Sequence, residues 1–301
     1  MRSLFSVNLP KLFVLFVAFA WWLSAAESRP DDTAPPAADP MLGKKAGEVR
    51  DDNSLKMKLA WCPPGTFVNS DDRPGRGGQV EVTLTKGIWL GRYEVTQSEW
   101  KQVMMTEPWT DKRLTEEFPD LPKDGDAFAA TFVSWEDAME FCRKLTEREC
   151  KAGRTPDDWE YTLPTEAQWE YACRAGTTTR FNFGDDESKL AESAWFIGNV
   201  VPAGESYAHE VGQKKPNAWG LYDMHGNVSE WCRDWYSHKR LCGRDPEVTM
   251  RWGQYRCRVH RDGNWVGGAE LCRSSRRGGG SQDSRAYSLG FRVALSAVPA
   301  R

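Results

Sequence analysis

The sequence predicts a single domain of mixed helices and strands over residues 56–298, with little regular secondary structure in its second half. Hydroxyl residues stand three positions before a carboxylate or amide at Thr96, Ser134 and Thr165, and each opens an amphipathic run. Short alternating stretches lie before and after these runs. From Ser188 to Ser288, periodicity gives way to glycine, asparagine, aspartate, serine and tryptophan.

Arg2 and Lys11 flank a short polar start, Leu12 to Leu23 is an almost unbroken apolar run, and Ser24-Ala25-Ala26 offers the small residues of a cleavage site. Residues 1–26 read as a secretory signal peptide whose apolar run falls short of the roughly 20 residues of a good membrane span. An uncleaved anchor is the alternative. The mature chain is expected to be secreted or periplasmic, with no membrane contact beyond that segment. Residues 27–55 carry Arg29-Pro30-Asp31-Asp32 and Ala34-Pro35-Pro36-Ala37 and read as a disordered linker.

Within the domain, Val80 to Leu84 alternates as a strand and Ile88-Trp89-Leu90 offers a second. At the three helix starts the hydroxyl accepts from the third helical amide, while Glu99, Asp137 or Gln168 reaches back to the cap. Aspartate is the shortest of these three side chains and makes the weakest box. Behind the caps, Trp100, Val103 and Met104, then Ala138, Met139, Cys142 and Leu145, then Ala172 and Cys173 keep helical spacing. Gly290 to Leu295 alternates as a closing strand. The stretch from 188 to 288 needs aromatic packing, disulfides or bound ions to stay ordered.

Forty basic and forty-three acidic residues give a formal charge of −3, which becomes −5 once Arg2 and Lys11 leave with the signal peptide. This balance gives no footprint for nucleic acid. All eight cysteines lie in the exported part, where an even count reads as disulfides of undetermined connectivity. The four histidines are scattered and do not make a zinc site.

The segment Gly220 to Trp231 packs glycines, an aspartate, an asparagine and a glutamate between aromatics. Glycine permits the positive-φ turns of a tight loop. Asp223 and Glu230 supply charged oxygens, and main-chain carbonyls near Gly226 and Val228 can complete an oxygen cage for calcium. The plain alternative is a solvent-facing turn.

Six segments in order carry a resemblance. They are Gly87 to Thr96, Val133 to Ala138, Leu163 to Arg174, Asn217 to Trp231, Arg261-Asp262-Gly263-Asn264-Trp265 and Leu289 to Arg292. Together they resemble the sulfatase-modifying factor domain of formylglycine-generating enzymes. The resemblance implies an α+β fold, a distant relative of C-type lectins, with low regular secondary-structure content. It implies calcium held by Asp223, Gly226, Val228 and Glu230, and a disulfide between Cys173 and Cys272. It also implies a copper(I) dithiol that oxidises a substrate cysteine in a sulfatase peptide.

The dithiol is where this sequence departs from the pattern. Soft thiolates suit copper(I), but the interval Trp265 to Cys272 holds one cysteine, Cys272, and Ala269 or Ser274 stands where another thiol is expected. Cys272 is either a structural partner of Cys173 or a remaining catalytic thiol, and copper belongs only to the second alternative. The leading expectation is a calcium-stabilised accessory module that binds a peptide, a sulfatase or an anionic glycan. Its groove is expected along Trp265, Arg273, Ser274, Arg276 and Arg277, where arginine supplies bidentate recognition and tryptophan a stacking face. The same arginines can instead pair with acids such as Asp283. The rival is an active formylglycine-generating oxidase.

Overall fold

A computed structural model describes residues 39–70, 78–116, 123–251, 256–261 and 263–298. The signal peptide and the proline-rich part of the expected linker lie outside the described residues. Pro40 onward forms one compact unit, so the domain starts earlier than the sequence suggested. Residues 40–55 are not a linker. Met41 is 4% and Leu55 8% exposed, the Met41 carbonyl accepts from the Trp89 indole at 2.6 Å, and strand β1 (Val49–Arg50) pairs with β2 (Leu59–Cys62). These anchors are single residues without periodicity, which hid them.

Three sheets organise the unit. The first has the order β1, β2, β5 (Ile88–Gly91), β12 (Ala294–Ala297), β6 (Trp159–Thr162). A second runs β10 (Arg277–Ser281), β9 (Cys257–Arg261), β7 (Ser229–Trp235), β11 (Leu289–Gly290). The third joins β3 (Gly65–Ser70), β4 (Gln79–Leu84) and the two-residue β8 (Gly243–Arg244). The expected strand across Gly290 to Leu295 is therefore two strands. The chain leaves one sheet after Gly290 and enters another at Ala294, and Arg292 sits at the crossing. The second half also carries more strand than its composition announced, because β7, β9 and β10 pair through glycine-rich and polar faces.

The helices are α1 (Gln97–Met104), α2 (Lys112–Thr115), α3 (Trp135–Lys151), α4 (Glu166–Arg174) and α5 (Ile197–Ala203). Thr96, Ser134 and Thr165 cap α1, α3 and α4 with complete capping boxes, the aspartate box at Ser134 included. α1 and α3 meet in an aromatic core in which the Trp100 and Phe141 rings stack at 5.8 Å and Phe291 stands edge-on to both. β6 is an edge strand, and Thr146 of α3 closes that edge: its hydroxyl accepts from the Tyr161 amide at 2.9 Å. α4 packs one face on β7 and β9, which places its charged side chains in the interior.

Candidate cation site and the cysteine-lined loop

The loop that leads into β7 is held by residues that tolerate left-handed backbone. Asp223 has φ of 59° and Asn227 of 68°, a region that Asx side chains enter more readily than most. Gly226 is fixed by close approach, since a Cβ there would lie 2.3 Å from the Trp195 carbonyl oxygen. Asn227 ties the loop to its surroundings. Its amide donates to the Trp195 carbonyl, its side chain exchanges bonds with the His209 backbone, and its carbonyl accepts from the Trp265 amide.

Around this loop three buried carboxylates face one guanidinium. Glu230 accepts from Trp169 Nε1 at 2.7 Å and from Arg292 Nε at 2.6 Å on one oxygen, and from Arg292 Nη2 on the other. Arg292 also donates to the carbonyls of Gly91 and Tyr222. Asp223 accepts from the Gly212 amide at 2.6 Å on one oxygen, while its other oxygen, Oδ1, is buried without a partner. Glu94, 1% exposed, has neither oxygen satisfied.

The electrostatics follow from that imbalance. Burial, then the charges of Asp223 and Glu230, push the Glu94 carboxyl well above its ordinary range. Burial lifts Asp223 to about 6 against the pull of the Gly212 amide and Arg292. Buried carboxylate oxygens without donors are costly and point to a missing cation or proton.

The oxygen donors fit calcium in chemistry. Asp223 Oδ1 is available where the sequence placed it, and Glu94 adds two oxygens that sequence reasoning missed. Glu230 departs from the expectation of an open ligand, because three N–H donors already occupy its oxygens and leave about one of a carboxylate's four acceptor positions. Among the described residues no three His, Cys, Asp or Glu side chains converge in metal-holding geometry. A cation here would therefore rely on main-chain carbonyls of the loop as well. Glu94 follows Tyr93 in the first of the six segments, and its only sequence signal was an acid amid apolar neighbours.

Behind the loop, His225 joins the two cysteines the sequence singled out. His225 Nδ1 donates to the Cys272 carbonyl at 2.7 Å, and its Nε2 accepts from the Asn182 amide at 3.0 Å. These bonds fix the neutral ring, and burial lowers its pKa to about 4. Cys173 Sγ, on α4, lies 4.0 Å from His225 Nε2 and 3.3 Å from the Met224 carbonyl. Cys272 follows a short 3-10 turn at Ala269–Leu271 and turns its sulfur back to the Gly268 carbonyl at 3.5 Å. Gly263 makes room for it, since a Cβ there would stand 2.6 Å from that sulfur. Cys173 and Cys272 are both 0% exposed. Burial pushes the thiols of Cys62, Cys142 and Cys232 far above the ordinary range.

The expected groove does not form as drawn. Trp265 is 3% exposed and packs on Tyr287 at 5.5 Å, so it offers no stacking face. Ser274 is fully buried, and its carbonyl accepts from Arg261. Arg277 is committed to Glu166 at 2.6 Å and to the Ser237 carbonyl, with Glu166 taking the place expected of Asp283. Arg273 donates to the Glu270 carbonyl and Arg276 to that of Arg277. The reason is a buried network on α4. Glu170 takes Arg174 and Arg261, Glu166 takes Arg261 and Arg277, and this draws Arg277 inward.

The profile of the sulfatase-modifying factor enzyme 1-like domain matches residues 46–297. The chain is 30% identical over 253 residues to the chaperone protein LppX of Paenibacillus barcinonensis, with 71% of this chain and 82% of that one covered. It is 31% identical over 177 residues to the formylglycine-generating enzyme of Streptomyces coelicolor, with 55% of this chain and 52% of the enzyme covered. The enzyme of Mus musculus is 29% identical over 180 residues, covering 56% and 44%. The chain thus spans about half the length of these formylglycine-generating enzymes. Among solved structures, Treponema denticola variable protein 1 aligns with a TM-score of 0.66 at 27% identity, over 82% of this chain and 98% of that one. PvdO from Pseudomonas aeruginosa aligns with a TM-score of 0.66 at 25% identity, over 84% and 100%.

Proposed function

The chain belongs to the sulfatase-modifying factor family over residues 46–297, and from that premise we infer that it is an exported accessory module that binds a protein or glycan partner and does not perform copper-dependent oxidation. One observation carries this reading. The interval that should hold the dithiol contains a single cysteine, Cys272, and that cysteine is wholly buried with its sulfur turned to the Gly268 carbonyl. Copper(I) needs soft ligands close together, and a peptide thiol needs access to them. The name of LppX, a relative aligned over more of this chain than the enzymes above, agrees with an accessory role.

Two further features are proposed with this reading. Cys173 and Cys272, both held against His225, form a disulfide in the exported protein. Calcium binds beside the 223–230 loop, with Asp223, Glu94 and main-chain carbonyls at Gly226 and Val228 as ligands, while Glu230 holds Arg292 and Trp169 in place. Calcium would supply the positive charge that this cluster of buried carboxylates lacks.

Titration of the purified protein with copper(I) against a chromophoric chelator tests the reading. No competition is expected. Stoichiometric binding that disappears in Cys272→Ser would contradict it.

A further inference from the structure

A surface pocket of about 520 Å³ lies between α3 and the edge strand β6. Its floor is apolar, made by Trp135, Met139 and Tyr161. Two carboxylates on its rim, Glu136 and Glu160, have no ion-pair partner among the described residues. The neighbouring cations are already engaged. Arg143 is held by Glu140 and Glu147, Arg233 by Glu247 at 2.7 Å, and Arg285 by Asp137. Glu136 also accepts from the Gln282 side chain and lies within the field of Arg285. Yet the lining sets the carboxylates of Glu136, Glu140, Glu147 and Glu160 against the guanidiniums of Arg143 and Arg233 only, so the rim keeps a net negative charge. The burial-driven rise of the Cys142 thiol is reinforced by Glu160, which places that charge against the pocket floor.

The tryptophan wall is rigid. Trp135 Nε1 donates to the Cys232 carbonyl at 2.9 Å. The Arg258 guanidinium sits 3.6 Å from the Trp135 ring centroid and 3.6 Å from that of Trp235, so one cation is clamped between two indoles. Arg258 also donates to the Arg233 carbonyl at 2.9 Å. A cation stacked on one face of an indole draws on the ring's negative quadrupole. Trp135 is then a poorer platform for a second cation and a better one for an aliphatic side chain. Because wall and floor are fixed before binding, little ordering cost remains for an occupant.

We propose that this pocket docks a partner peptide carrying an apolar side chain next to a lysine or arginine, with the apolar group against Trp135 and Met139 and the cation between Glu136 and Glu160. This deepens the accessory reading by naming the partner's chemistry, and it rests on that reading. Opposite charges across such a surface raise association rates and set register more than they add affinity, so binding is expected to weaken with salt.

Fluorescence anisotropy with a labelled Leu-Arg repeat peptide tests it, with a Leu-Glu repeat as control. The expected result is saturable binding of the first and none of the second. Affinity should fall at least about tenfold in Glu136→Lys/Glu160→Lys, with the melting temperature unchanged. It should fall less in Met139→Gln, the milder change at a side chain that also packs on the core. Should the double variant melt early, Glu160→Gln serves in its place, with a smaller loss in the same direction. Equal binding of both peptides, or binding indifferent to the rim and floor variants, would overturn the proposal. Absent peptide binding alongside absent copper(I) binding removes the pocket inference and leaves the accessory reading standing. Tight copper(I) binding with intact peptide docking does the reverse.

Discussion

His225 shows how much one buried side chain can determine here. It bonds the Cys272 carbonyl on one nitrogen and the Asn182 amide on the other, with Phe181 and Phe183 edge-on at 5.6 and 5.8 Å. His225→Ala removes both bonds and opens a cavity, and urea unfolding should show a loss of about 2–4 kcal/mol. A loss well under about 1 kcal/mol would show that the loop does not depend on it. The cation proposal is tested at the same scale. Chelation with EGTA should lower the melting temperature of the wild type, since a ligand at a hundredfold its Kd stabilises by about 2.7 kcal/mol. Asp223→Ala should abolish that response, and a variant that still responds would move the ion elsewhere. Asp223 was legible in sequence because an aspartate in a glycine-rich loop advertises oxygen chemistry. Glu94 was not, since a lone acid between tyrosine and valine reads as surface until burial is known.

At the level of elements, the helix starts were the most legible feature, because a capping box is a local bargain between three or four consecutive residues. Thr165→Ala should cost about 1 kcal/mol, measured by thermal or chemical unfolding. Glu170→Ala should cost more, about 3–5 kcal/mol, because it strands Arg174 and Arg261 in the interior. Comparable losses for the two variants would mean that the α4 network contributes little. That network was illegible for a physical reason. Glu170 and Arg174 at i, i+4 look the same in sequence whether the helix face meets water or a sheet, and only β9 arriving with Arg261 decides it. The same network takes Arg277 out of the expected groove, turning it inward to Glu166.

On the scale of the whole molecule, sheet order depends on contacts between distant segments. The strand read through Gly290 to Leu295 therefore turned out to be a crossing between two sheets. Stability against pH is also a property of the whole molecule. His260 packs edge-on to Trp231 at 5.9 Å, and burial, with Arg276 nearby, lowers its pKa to about 4. Between pH 6.5 and 4 the unfolded chain takes up a proton there that the folded chain refuses, so this histidine's contribution is lost as pH falls through that window. The wild type should lose on the order of 1–3 kcal/mol more than His260→Gln between pH 7 and 4. Equal slopes for the two proteins would show that His260 titrates alike in both states.

The fold, the family and the capped helices were written in the sequence. The accessory proposal also starts there, from one cysteine, Cys272, in the interval where the resemblance implies two. The most direct test of an accessory role incubates the purified protein with copper, oxygen and a cysteine-containing sulfatase peptide, and follows the peptide by mass spectrometry. The peptide is predicted to keep its mass. Conversion of its thiol to an aldehyde, abolished by Cys272→Ser, would contradict the account.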